Sequence, residues 1–308
     1  MTVPEILAKL PGMSVLVVGD LCLDRWCTYD PALGEPSRET GLERVAVVKT
    51  ETTAGAAGTV ANNLIDLGTG TVAVLSVIGD DGFGFELTRA LGYRNISTEL
   101  LVKQSLIPTF TYTKLINTRT GEEDLPRVDF VSTQAVPSGI EGQLIDNLRG
   151  LFAQFDLVIV SDQAETESGG IVTPALRDEL IRLRDGHPEK LILVDSRVRI
   201  TEFRRMILKP NQQEAEAACQ RLFGDPRAFG RLQQHTESPA ARRVAQPVDI
   251  CGAGDSFAAG AGLALAVTGS PVDAARFGNL VASVTIMKKG TGTATPAEVI
   301  AASEESGL

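Results

Sequence analysis

The chain is poor in the residues that carry most metal and nucleophile chemistry. It has two histidines, His187 and His235, among 308 residues, too few to suggest a histidine-centred triad or a metal centre. Its four cysteines, Cys22, Cys27, Cys219 and Cys251, show no metal-site spacing. Three of them adjoin apolar runs, so they read as buried free thiols of a reducing compartment. Positive charge is also short: 29 Lys and Arg stand against 39 Asp and Glu, a net charge of −10. That balance argues against general nucleic-acid or anionic-membrane binding, although a local pocket can still oppose it. No apolar run reaches the ~18 residues of a membrane span. The first ten residues, with Glu5 and Lys9, lack a signal-peptide core. The first apolar strand does not open into a G-x-G-x-x-G turn, which leaves a nicotinamide-dependent oxidoreductase as a poor candidate. The expectation is a soluble, cytoplasmic protein with no nucleic-acid or membrane partner.

What is present is an alternation. Short β-rich apolar runs at 14–18, 72–78, 157–160 and 191–194 each end in a cluster of glycine, serine or aspartate. Between them lie helix-like stretches at 60–67, 140–152 and 174–184. Strand, helix and strand in turn predict an open parallel sheet covered on both faces, with ligands at the strand ends. Two segments break the pattern: residues 44–52 are β-branched, and residues 109–115 alternate polar with apolar. They predict a small antiparallel sheet outside the main one, a lid or a dimer surface.

Three clusters point to chemistry. Asp249-Ile250-Cys251-Gly252-Ala253-Gly254-Asp255 runs into a small-residue apolar stretch at 258–266, as a buried helix beginning at a glycine turn would. Free N–H groups there attract an anion, and small residues let a phosphate come close. A carboxylate at Asp255 would repel that phosphate, unless it takes a proton from an attacking hydroxyl. The plain alternative is a glycine turn with an acidic cap. Lys209-Pro210-Asn211-Gln212-Gln213-Glu214 reads equally as an ordinary capping box, with Asn211 as cap and Glu214 reaching back. Asp24, just beyond the first strand end at Gly19-Asp20, reads as a ligand contact or as a solvated turn residue.

Together these pieces resemble the ribokinase or PfkB carbohydrate kinase family over nearly the whole chain. Gly252-Ala253-Gly254-Asp255 is similar to that family's anion hole and catalytic base, Asn211 and Glu214 to its N-x-x-E motif, and Gly19-Asp20 with Asp24 to its sugar-binding strand end. Within the family, Gly19-Asp20-Leu21-Cys22-Leu23-Asp24-Arg25, Val45-Ala46-Val47-Val48-Lys49, Arg127-Val128-Asp129-Phe130 and Gly290-Thr291-Gly292-Thr293-Ala294-Thr295-Pro296 resemble bacterial heptose 7-phosphate kinases. These enzymes phosphorylate the anomeric hydroxyl of a heptose already phosphorylated at carbon seven.

The resemblance implies a ribokinase-like α/β fold over residues 1–308, a central, mostly parallel sheet with helices on both faces, and lid segments at about 25–52 and 107–131. It implies ATP and Mg²⁺ as cofactors and a small sugar or sugar phosphate as partner. A homodimer through the lid is a further expectation, drawn from the two-faced pattern of the lid strands. Relatives often bind a monovalent cation near residues 249–251 and 288–293. Asp255 is then the base, with Gly252, Ala253 and Gly254 supplying backbone N–H groups. Asp24, Gly55, Ala56 and Thr59 would meet the sugar. Asn211 and Glu214 would orient magnesium through water, and Asn279 would lie on the adenine side or be an asparagine satisfied by backbone. Arg38, Arg44, Lys49, Lys114 and Arg127, in or near the lid, are the candidates for a substrate phosphate.

Three departures from the family pattern stand out. Ala56 and Thr59 replace the second glycine and the asparagine of the family's substrate stretch. The span from Asn211 to Gly252 is short and shows no T-x-G-x-x-G nucleotide loop. Ser161-Asp162 is followed by Gln163-Ala164-Glu165 rather than by the tyrosine and lysine of heptose kinases. They keep two alternatives open: another sugar, sugar-phosphate or nucleoside kinase, and a non-catalytic sugar-binding relative with an impaired nucleotide site.

Overall fold

The alternation becomes a six-stranded sheet in the computed structural model, which describes residues 1–164, 169–228, 242 and 244–307. The strands are β1 (Ser14–Gly19), β2 (Leu21–Tyr29), β3 (Val47–Ala56), β4 (Thr71–Gly79), β5 (Leu101–Gln104), β6 (Thr111–Asn117), β7 (Val128–Phe130), β8 (Leu157–Asp162), β9 (Leu191–Ser196) and β10 (Ile207–Leu208). The main sheet has the order β10-β9-β8-β1-β4-β5, and every neighbouring pair in it is parallel. The helices are α1 (Val3–Leu7), α2 (Ala57–Asp66), α3 (Gly82–Tyr93), α4 (Ser138–Leu151), α5 (Pro174–Gly186), α6 (Gln212–Phe223), α7 (Ala253–Thr268), α8 (Pro271–Thr285) and α9 (Pro296–Ser306).

Strand β1 shows why both faces are covered. Successive strand residues point to opposite faces. Val15 and Val17 join a core layer with Leu64 of α2 and Leu263 of α7. Leu16 and Val18 join the other layer, with Leu148 of α4 and Leu180 of α5. All four β1 side chains are fully buried, so the strand reads as an unbroken apolar run rather than as an alternation.

The second sheet has the order β3-β2-β6-β7. It corrects the expectation of an antiparallel lid. The pairs β2·β3 and β6·β7 are antiparallel, but β2·β6 is parallel. Between β2 and β6 the chain passes through β3, α2, β4, α3 and β5, a crossover long enough to return in the same direction. Strand β2 itself departs from the turn reading of Asp24. Only Asp20 separates it from β1, and both ends of the strand are largely buried, which hides the period of two. The lid therefore rises directly from the C-terminal end of β1, beside the point where strand order reverses.

Candidate active site

The core side of the site is the start of α7. Gly252 is its N-cap at φ +76°, a backbone region that a side chain disfavours. This turn leaves the first N–H groups of a 16-residue helix without intrahelical acceptors, and that of Ala253 donates instead to the Ile250 carbonyl at 3.2 Å. Asp255 follows in the first turn. Burial raises its carboxyl to about 7, helped by the charge of Asp195 and opposed by Lys209. Asp195 is the penultimate residue of β9, and its Oδ2 lies 2.7 Å from Lys209 Nζ. A Cβ placed on Gly254 would lie 3.3 Å from the same Nζ, so the ammonium stands at the mouth of the helix start.

The lid side follows from strand register. Asp24 pairs with Thr53 and with Tyr112, and Trp26 pairs with Glu51 and with Lys114. Paired residues share a face, so one surface of the lid carries Asp24, Trp26, Tyr112 and Lys114 toward the core. Gly55 sits beside Asp24 for lack of space: a Cβ there would come 2.4 Å from Asp24 Oδ2 and 2.6 Å from Cys22 Sγ. Burial raises the Asp24 carboxyl to about 6, opposed by the Cys22 thiol, Lys114 and Arg127. Ala56 takes φ +53°, ψ −117°, a conformation suited to the glycine it replaces. Thr59 is buried, and its Oγ1 has no protein partner.

Core and lid enclose a cavity of about 250 Å³. Of the residues expected at the sugar and the base, Asp24, Ala56, Thr59, Gly252 and Asp255 line it. Gly55, Ala253 and Gly254 are adjacent to these but outside the lining. Of the five candidate cations, Lys114 and Arg127 reach the cavity. Arg44 and Lys49 instead pair with Glu35 and Glu51, each at 3.0 Å. The structure adds Cys22, Arg25, Trp26, Tyr112, Gln163, Arg197, Cys251 and Thr291, which the sequence reading did not assign to the site. Arg197 carried a usable signal, since it follows a strand end. Arg25 carried only its place in the segment from Gly19 to Arg25, because the burial of β2 leaves no local period to mark it as a strand.

Two buried acids hold the floor rigid. Asp20 accepts N–H groups from Gln163, Ala164 and Ile171 at 2.8–2.9 Å. Asp162, fully buried, takes both Arg199 and the Ser196 hydroxyl, the latter at 2.6 Å. Such pairs are costly when broken.

Asn211 and Glu214 form the capping box of α6. Asn211 Oδ1 accepts from Glu214 N, and Glu214 Oε2 accepts from Asn211 N at 2.7 Å. Both residues lie outside the lining of the 250 Å³ cavity, as does half-buried Asn279 on α8. Cys22, Cys27 and Cys219 are buried free thiols as expected, while Cys251 is exposed. Glu165 and His235 lie outside the described residues, as do residues 229–241 and 243 of the short span between Asn211 and Gly252. Among the described residues no helix is long and apolar enough to cross a membrane.

The sequence profile of pfkB family carbohydrate kinases matches residues 14–244 and 230–298. The chain belongs to that family. Members of that family are carbohydrate kinases, and the chain shares the sheet fold of its solved neighbours. The two matched segments meet at 230–244, inside the span that lacks the T-x-G-x-x-G loop. The kinase is 29% identical to the bifunctional protein HldE of Pelobacter propionicus over 330 residues, covering 97% of this chain and 65% of that protein. It is 30% identical to HldE of Trichlorobacter lovleyi, again with 97% and 65% covered. The chain thus spans just under two thirds of these relatives. Among solved structures, phosphofructokinase-2 from Escherichia coli superposes with a TM-score of 0.69 at 16% identity, covering 96% of this chain and all of that one. Arabidopsis thaliana ribokinase complexed with ribose and ATP gives 0.65 at 16%, covering 94% and 98%.

Proposed function

We propose that the kinase transfers the γ-phosphate of ATP to a hydroxyl of a phosphorylated sugar, with the anomeric hydroxyl of a heptose 7-phosphate as favoured acceptor. The observation that carries this reading is local charge reversal. In a chain of net charge −10, the cavity gathers Arg25, Lys114, Arg127 and Arg197 against the carboxyls Asp24 and Asp255. Arg25, Lys114 and Arg127 are also approached by Glu86, Glu123 and Asp129 from outside the lining, and the cations suit the phosphate of a phosphorylated acceptor beside that of ATP. The heptose assignment rests on the resemblance of the strand-end, lid and C-terminal segments described above.

In this reading Asp24 accepts hydrogen bonds from sugar hydroxyls. Asp255 takes the proton of the attacking hydroxyl as its oxygen bonds to the γ-phosphorus and the bond to the ADP oxygen breaks. N–H groups of Gly252, Gly254 and Asp255 steady the charge on the transferring group, while that of Ala253, expected to join them, is held by the Ile250 carbonyl; Lys209 adds an ammonium beside Gly254. The lid, at about 25–52 and 107–131 within a single kinase domain, excludes water. Asn279 is assigned to the adenine side.

Magnesium fits as a hydrated ion. Glu214 has one oxygen in the capping box, and among the described residues no cluster of three ligating side chains forms a cage. Asn211 and Glu214 would hold it through water, where it neutralises phosphate charge. A monovalent cation is assigned to the loops at 249–251 and 288–293, which Asp249 ties together by accepting N–H groups from Cys251 and Gly290.

The test is ADP release from ATP and magnesium, with heptose 7-phosphate, fructose 6-phosphate and ribose offered in parallel and Asp255→Asn as the blank. Turnover confined to a phosphorylated sugar and lost in the blank supports the proposal. Turnover on ribose alone would sink it. A second reading, binding without catalysis, draws on the short span after Asn211. It predicts no turnover and no thermal shift on adding ATP with magnesium, where a bound ligand at 100 times its Kd would add ~2.7 kcal/mol.

A further inference from the structure

The lid and the core line a second, more open cavity, of about 380 Å³, outside the residues assigned above to the acceptor and the base. It lies one step farther along the same lid face. Asp24, Trp26 and Thr28 alternate along β2 and project to one side. Asp24 and Trp26 line the first cavity, Trp26 and Thr28 the second. The core contributes the turn from Lys289 to Thr291. Thr291 also lines both cavities, and its Oγ1 is buried without a protein partner. The Trp26 ring is packed against Gly290, where a Cβ would lie 3.2 Å from it. An indole and an unsatisfied hydroxyl are therefore what separates the two spaces.

Their chemistry differs. The first cavity is cationic, as described above. The second has one charge of each sign, Glu51 and Lys289, with the hydroxyls of Thr28 and Thr53 and the side chain of Ile116. Lys289 Nζ also reaches the Gly121 carbonyl at 3.3 Å, linking the core turn to the lid between β6 and β7. An aromatic surface edged by hydroxyls and one carboxylate suits a polyhydroxylated ring, whose C–H face rests on the indole while its hydroxyls are hydrogen-bonded. Glu51 is itself paired with Lys49 at 3.0 Å, and the wall gathers no cluster of cations that would favour a second phosphate.

We infer that this cavity is a carbohydrate subsite for a neutral saccharide unit adjoining the phosphoacceptor. The unit is either the second residue of a longer acceptor or a separate sugar. The inference rests on the proposed kinase reading for its neighbour, but its readout does not. Trp26 is the only tryptophan in the chain, so intrinsic fluorescence reports on the cavity wall directly. The full chain is titrated with maltose, lactose and mannose, with and without heptose 7-phosphate. Two variants are treated alike: Thr28→Phe, which fills the space, and Glu51→Ala, at its rim.

The expected result is a saturable change in Trp26 emission with at least one neutral sugar, weakened about tenfold or more in both variants, a loss of ~1.4 kcal/mol. The KM for the phosphorylated acceptor should stay within about twofold. Binding that survives added heptose 7-phosphate marks a separate sugar. Binding displaced by it, yet still lost in the variants, marks the longer acceptor. No saturable change with any of the sugars, or a change that both variants leave intact, overturns the subsite. If neutral sugar binds as described but no phosphorylated sugar is turned over, the acceptor assignment fails and the subsite stands.

Discussion

The carboxyl of Asp255, raised to about 7 by burial and by Asp195, governs both activity and stability. As a base it must lose its proton, so kcat/KM should rise with pH through an acid limb near 7 and level off above it. Lys209 lowers this carboxyl. Lys209→Ala should therefore move the limb to higher pH as well as reduce kcat, a combination that loss of packing alone would not give. The stability sign is opposite to that of a salt-bridged acid. An ordinary aspartate titrates near ~3.9 when unfolded, so between there and about 7 the folded state holds the proton more tightly. Stability from this group is complete below the lower value and is lost as pH rises through the upper one. Asp255→Asn should cost roughly 10²–10⁴ in kcat, yet raise Tm at pH 8, with the gain shrinking toward pH 5. An aspartate that served only as a helix cap would leave activity intact and lose about 1 kcal/mol on substitution. Ala56 supplies a second residue-scale test. Alanine to glycine normally destabilises through the unfolded chain. At φ +53°, ψ −117° the strain is of order 1–3 kcal/mol, so Ala56→Gly should raise Tm. A fall in Tm would mean that the neighbouring loop does not hold this strain.

At the scale of elements, specificity belongs to the lid sheet. Register sets Lys114 beside Trp26 and places Tyr112 between Asp24 and Asp129. Arg127 then lies with its guanidinium 4.9 Å from the centre of the Tyr112 ring and 2.7 Å from Asp129. Arg127→Ala should raise KM for a phosphorylated acceptor by about ten- to hundredfold, the worth of one charge-assisted hydrogen bond. It should change KM for an unphosphorylated sugar little. Equal losses on both would place Arg127 in lid folding rather than in phosphate recognition. Apart from the resemblance of its segment, Arg127 stood in the sequence as one of five cations, because side-chain charge says nothing about which face of a sheet it meets. Pairing partners decide that.

At the scale of the molecule, the lid leaves apolar surface uncovered. Val47 and Val48 on β3 and Val128 and Phe130 on β7 are between 41% and 54% exposed, and these strands form the two edges of the second sheet. Exposed apolar edges invite pairing with another chain. The proposed homodimer through the lid predicts a twofold mass in sedimentation equilibrium and a monomer for the double variant Val48→Glu, Phe130→Glu. A wild-type mass that stays monomeric at all concentrations would remove it.

The sequence alone determined the parallel sheet, because buried strands bounded by glycine and aspartate clusters leave few other arrangements. It also determined the helix start at Gly252, since only small residues open into a long apolar helix there. The capping box at Asn211 was legible for the same reason: caps are local, and their signals sit within a few residues. The tertiary structure decided what depends on distant pairing. It made β2 a strand rather than a turn, set β2 parallel to β6, chose Lys114 and Arg127 over Arg44 and Lys49, and brought Arg197 and Thr291 to the same cavity. Those outcomes depend on contacts between residues far apart in the chain, and no local period or spacing encodes them.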